Sequence, residues 1–99
     1  MFSIENQKEA INTLCKLHNV EKLYVFGSAI TNRFSVTSDI DFLVKFKPFE
    51  LSLYFDNYLI LKEKLNELFN REIDLLEEQT LKNPVLINSI NRNKELIYG

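Results

Sequence analysis

One stretch limits what this chain can fold into. Tyr24-Val25-Phe26 runs into Gly27-Ser28, and ten residues later Asp39-Ile40-Asp41-Phe42-Leu43-Val44 begins. Leu23 to Phe26 is apolar and aromatic, which favours a buried strand. Gly27 ends it, because glycine turns the backbone sharply and lets a ligand approach the main chain without meeting a Cβ. Ser28 stands where a helix N-cap would be, and free N–H groups at a helix start suit phosphate oxygens. The second segment alternates as a strand does, so Asp39 and Asp41 share a face about 6–7 Å apart while Ile40, Phe42 and Val44 take the other. Two carboxylates that close repel each other and call for a counter-charge. Magnesium supplies one, being held by one or two carboxylates together with substrate phosphates. Alone, a Gly-Ser is a turn and a cap, and an Asp-x-Asp is a solvated strand end. Together at this spacing they are specific.

Ninety-nine residues predict a single domain over 1–99 with one modest core. The formal charge is −2 and the basic residues form no long block. That argues against a binder of long nucleic acid, which needs a basic stripe. A triphosphate held through metal ions needs none. One cysteine, Cys15, excludes an internal disulfide framework and reads as a small core residue. No apolar run reaches the ~18 residues of a membrane span, and no secretory signal is visible, so the expected compartment is the cytoplasm.

Along the chain, Ser3 suits the cap of a first helix, with Ile11, Leu14, Cys15 and His18 on one face. His18 reads as structural. After the second strand, Pro48 closes Lys45-Phe46-Lys47. A long helix is expected from about Leu51 to Phe69, its stripe Tyr54, Tyr58, Leu61, Leu65 and Leu68 facing the core. Arg71 to Glu77 reads as a third strand, with Ile73 and Leu75 on one face and Asp74 on the other. An acid so placed needs a cation or water. Asn83 and Pro84 predict the start of another helix, and Lys94 to Tyr98 a short terminal strand or arm.

The phrase Phe26-Gly27-Ser28, with Ser38-Asp39-Ile40-Asp41-Phe42-Leu43-Val44, resembles the nucleotidyltransferase superfamily of DNA polymerase beta, and within it the stand-alone minimal nucleotidyltransferases. The resemblance implies an α+β fold, a small mixed sheet flanked by helices. It implies two Mg²⁺ ions held by Asp39, Asp41 and a third acid, with Gly27 and Ser28 gripping the phosphates of a nucleoside triphosphate. Asp74 matches the third acid in context, ahead of Glu72 and Glu77. Many members carry Arg-Gly shortly after the Gly-Ser; here Thr31 and Asn32 stand there, and Arg33 follows as a candidate phosphate contact. By the same resemblance the reaction is transfer of AMP from ATP to a tyrosine of a small helical HEPN-type toxin, with this chain as antitoxin. Since the chain is nearly all catalytic core, the acceptor surface must come from a second copy or a partner protein. Two rivals stay open: a catalytically silent module that neutralises a partner by binding, and a transferase acting on a small molecule or an RNA end.

Overall fold

A computed structural model describes residues 5–27 and 39–99. A 3-10 turn at Glu5–Gln7 leads into helix α1 (Lys8–Leu17), and strands β1 (Val20–Phe26) and β2 (Ile40–Phe46) follow. Helix α2 (Leu51–Phe69) precedes β3 (Ile73–Glu77), a 3-10 turn at Glu78–Thr80, helix α3 (Pro84–Asn93) and β4 (Glu95–Tyr98). The cap expected at Ser3 lies outside the described residues.

The four strands form one sheet in the order β3-β2-β1-β4. β1 is antiparallel to both β2 and β4, whereas β2 and β3 run parallel. The parallel pair is made possible by α2, since a parallel connection needs a crossover. The fold is therefore α+β with a mixed sheet.

One face of the sheet carries the main core. Ile40, Phe42, Val44 and Phe46 of β2, Leu23 and Val25 of β1, and Ile73 and Leu75 of β3 are buried against Ile11 and Cys15 of α1 and Leu61 and Leu65 of α2. The register shift between Val20 and Lys22 keeps Val20 in the same core as Leu23 despite the odd spacing. On the other face Leu43 is also fully buried, beneath α3, whose Ile90 is the buried residue of that helix. Alternation along β2 thus feeds two apolar layers, which is why the strand reads as nearly continuous hydrophobic sequence.

Polar side chains fix the joints. Asn57 of α2 donates through its amide to the His18 carbonyl at 2.7 Å, and its Oδ1 lies 3.1 Å from His18 Nδ1. With that amide oriented as a donor to His18, the imidazole Nδ1 is the donor to Oδ1, so His18 ties α1 to α2. Asn70 ends α2 in the left-handed conformation (φ 53°) that asparagine tolerates, and Asn66 donates to the Arg71 carbonyl at 2.6 Å. The third strand accordingly begins at Ile73 and not at Arg71. Asn83 caps α3, its Oδ1 accepting from Val85 N at 3.0 Å, with Pro84 in the first turn. No helix among the described residues is long and apolar enough to cross a membrane.

Leu65 sits at the centre of the α2–sheet contact with no exposed surface. Truncation to alanine, L65A, is expected to cost about 2–5 kcal/mol, read as a lower denaturant midpoint at unchanged slope. A loss under about 1 kcal/mol would contradict this placement.

Candidate active site

Parallel pairing of β2 and β3 sets Asp41 directly opposite Asp74. Both side chains point away from the main core, because Ile40 and Phe42 on one strand and Ile73 and Leu75 on the other are buried there. Nothing in either strand could turn one acid away without exposing its neighbours. The two carboxyl groups stand within hydrogen-bonding reach of each other. Asp39 precedes β2 by one residue, is exposed, and is close enough for its charge to act on Asp41.

The Asp41 carboxyl is pushed up to about 6, by burial first, then by the charges of Asp74 and Asp39, with the shared hydrogen bond to Asp74 adding to both. Two neighbouring carboxylates resist simultaneous ionisation. A proton on Asp41 or a cation beside it relieves that repulsion. Among the described residues no group of three acids or other ligating side chains is gathered closely enough to hold one ion as it stands. The tight unit is the Asp41–Asp74 pair, with Asp39 beside it. An all-oxygen set with unrelieved negative charge is what a magnesium ion takes, its other positions filled by water and phosphate.

Gly27 closes the site from the β1 side. Phe26 is the partner of Asp41 in the antiparallel ladder, so the next residue passes beside the Asp41 side chain. Gly27 adopts φ +73°, and a Cβ built there would lie 2.2 Å from Asp41 Oδ2. Any other residue would strain the backbone and also fill the space that the carboxylate occupies.

The remaining expected site residues separate clearly. Ser28 and Arg33, with Thr31 and Asn32, lie outside the described residues. Glu72 precedes β3, its backbone carbonyl accepting from Ile40 N at 3.1 Å. Glu77 is in β3 but on the opposite face from Asp74, buried toward α2. Lys45, whose side chain leaves β2 on the same face as Asp41, pairs with Glu21 Oε2 at 3.1 Å. Cys15 is buried, and burial pushes its thiol up to about 12, so it is no nucleophile. One residue that sequence reasoning left in the core has a second task. The Tyr58 hydroxyl donates to the Leu75 carbonyl on the open edge of β3, where it feels the charge of Asp74. The available signal was chemical: a tyrosine on an apolar stripe still carries a polar tip that needs a partner.

The fold that carries these residues is found in known proteins. The profile of the family described as polymerase beta, nucleotidyltransferase, matches residues 8–99. The chain belongs to the polymerase beta nucleotidyltransferase family. It is 33% identical over 81 residues to a candidate protein adenylyltransferase of Methanocaldococcus jannaschii, covering 82% of this chain and 78% of that protein. Among solved structures it is similar to a candidate minimal nucleotidyltransferase (TM-score 0.75, 28% identity, 93% of this chain and 90% of the other). It also shares its fold with a chain of the complex between a tri-AMPylated HEPN toxin and an MNT antitoxin of Shewanella oneidensis (TM-score 0.66, 18% identity, 98% of this chain and 73% of that one). By family, this chain is a nucleotidyltransferase.

The electrostatics give a sign that can be measured. The folded protein holds the Asp41 proton up to about pH 6, while the unfolded chain releases it near 4. Native protein therefore binds more protons than unfolded protein in that window, and stability falls as pH rises from about 4 to about 6. Glu77, also raised by burial, acts in the same direction. Melting temperatures in EDTA should decline across this window, and D41N should flatten most of the decline. Parallel profiles for the two proteins would contradict the pairing. G27A should lose about 1–2 kcal/mol from the left-handed backbone, checked by denaturant unfolding, and more in activity, because Asp41 must move. Full activity in G27A would show that the close approach is unimportant.

Proposed function

We propose that this chain transfers AMP from ATP to a hydroxyl, the tyrosine of a small helical HEPN-type partner, and so acts as the antitoxin of a pair. The observation that carries the reading is the Asp41–Asp74 pair set in register beside Gly27. The likeness to named adenylyltransferases supports AMP as the transferred group. The AMPylated toxin bound to a protein of the same fold supports the partner class.

In this reading Asp39, Asp41 and Asp74 would hold Mg²⁺. When bound, the metal supplies charge neutralisation of the triphosphate and of the oxygens that attack and leave. The chain's own residues do the rest. Gly27, lacking a Cβ, lets the Asp41 carboxylate lie against the backbone of the turn where the phosphates would be held. Asp74 is exposed at the outer strand, where it can accept the proton of an incoming hydroxyl. The hydroxyl oxygen then bonds to the α-phosphorus, the bond to the β-phosphate oxygen breaks, and pyrophosphate leaves. Asp41, flanked by both other acids, holds its proton up to about pH 6, and above that its charge calls for a cation. The site thus favours occupied metal over empty charge.

The test is transfer of label from α-labelled ATP, with Mg²⁺, to a co-purifying helical partner. Wild type should label a partner tyrosine. D41N and D74N should each lower the rate by at least about a hundredfold while retaining the fold by circular dichroism, the scale of losing a metal ligand or a general base. Transfer at wild-type rate in either variant would overturn the assignment of that acid. Tight partner binding with no label in wild type would leave a binding module and no transferase.

A further inference from the structure

Around the open edge of β3, at its C-terminal end, α2 and the strand line a second site. Its walls are Tyr54, Phe55, Tyr58, Leu75, Glu77 and Thr80, around a cavity of about 270 Å³. That is just below the ~300–1,000 Å³ typical of sites for drug-sized ligands, and suits an occupant of side-chain size. Glu77 is only 6% exposed, and its Oε1 is buried without a hydrogen-bond partner. The backbone N–H groups of Gln79 and Thr80 approach the carboxylate and partly offset its burial, without forming a cap hydrogen bond. A carboxylate buried with an unpaired oxygen is a costly feature, and removing it would simplify the core. Its neighbours are of one kind. The Tyr54 hydroxyl is close enough to feel the Glu77 charge, and the Tyr58 ring forms the adjacent wall.

We propose that this cavity receives an arginine side chain presented by a partner protein. Three features select that occupant. The unpaired carboxylate oxygen calls for a cation able to donate a hydrogen bond, and guanidinium does so with a directed N–H. Aromatic walls attract a cation to their faces, and a planar guanidinium stacks on them. Those walls are fixed in advance: Tyr54 stacks on Phe49 with ring centroids 6.0 Å apart and meets Phe46 edge-on at 5.6 Å, while Tyr58 is tied to Leu75 by its hydroxyl. The third feature lies beside the cavity. Phe55 of its wall has Leu51 one turn before it and Leu59 one turn after it on α2, and the three are 64%, 84% and 45% exposed. Such an apolar strip beside a charged hole is met by a protein surface carrying one basic side chain among apolar neighbours, not by a free cation. Glu77 itself points away from Asp41 and Asp74, and the site stands whether or not the chain transfers a nucleotide.

The test is an NMR titration of the full chain with the blocked dipeptide acetyl-Leu-Arg-amide, its citrulline counterpart, and methylguanidinium. Citrulline keeps the shape of arginine without the charge. Saturable shifts at the Tyr54 and Tyr58 rings and the Thr80 amide are expected for the arginine peptide, the same shifts at higher concentration for methylguanidinium, and none for the citrulline peptide. E77Q, nearly isosteric, should weaken binding about tenfold or more, the scale of one charge-assisted hydrogen bond. F55A, a surface change that leaves Glu77 in place, should weaken the peptide severalfold and methylguanidinium little. Equal binding of the citrulline peptide, undiminished binding in E77Q, or shifts confined to Asp41 and Asp74 would overturn the site. Methylguanidinium binding as tightly as the peptide, or an F55A effect equal on both, would overturn the partner-protein source. Should E77Q fail to fold, the citrulline comparison and F55A decide alone.

Discussion

The structure turns on a repulsion that the fold does not allow to relax. β2 and β3 pair in parallel, and the pairing sets one carboxylate opposite another. Neither strand can slip by one residue, since a slip would send Ile40, Phe42 and Val44, or Ile73 and Leu75, out of the core and the acids into it. Burial of apolar side chains, at roughly 25 cal/mol per Å², far exceeds what two partly solvated charges can oppose. The hydrophobic layer therefore holds the acids together, and the strain appears as a raised proton affinity at Asp41. A cation is the complement to that arrangement.

The same division of labour recurs across the sheet. β1 lends its last residues to the site through Phe26 opposite Asp41 and the bare Gly27 beside it. α2 both covers the core and reaches around the open edge of β3, where Tyr58 occupies the Leu75 carbonyl that another strand would otherwise seek. Such a cap blunts an edge that is prone to pairing. α3 seals Leu43 on the side where the acids lie, so the face that carries the acids has its own small apolar floor. Charge is thus concentrated at one end of β2 and β3, with aromatic and aliphatic support behind it.

Much of this was legible in the sequence, and the limits have physical causes. Local patterns carried far: alternation in Ile40–Val44 gave the face of Asp41, the helical stripe from Tyr54 to Leu68 gave α2 at its observed bounds, and Asn83-Pro84 gave the start of α3. The partner of Asp41 was harder. Ile73 and Leu75 fix which face Asp74 takes but not which residue stands opposite, because register between strands separated by a helix is a long-range property. The third strand was drawn two residues too long, since the left-handed turn at Asn70 and the Asn66 bond to Arg71 keep that segment out of the ladder. Glu77 stands at the last position of β3. Its place in the series Ile73, Leu75, Glu77 already pointed it toward the core, and only the packing of α2 reveals how completely it is enclosed. Ser28 and Arg33 fall outside the described residues, so of the turn expected to grip phosphate only Gly27 has a described geometry.

The most direct measurement is crystallographic: crystals grown with Mn²⁺ and a non-hydrolysable ATP analogue, with anomalous scattering used to locate the metal. A manganese peak between the Asp41 and Asp74 carboxylates, sharing triphosphate oxygens that lie against Gly27, is the predicted result. A nucleotide bound elsewhere, or manganese absent from the Asp41–Asp74 pair while the nucleotide is ordered, would contradict the claim that the enforced carboxylate pair exists to hold a metal.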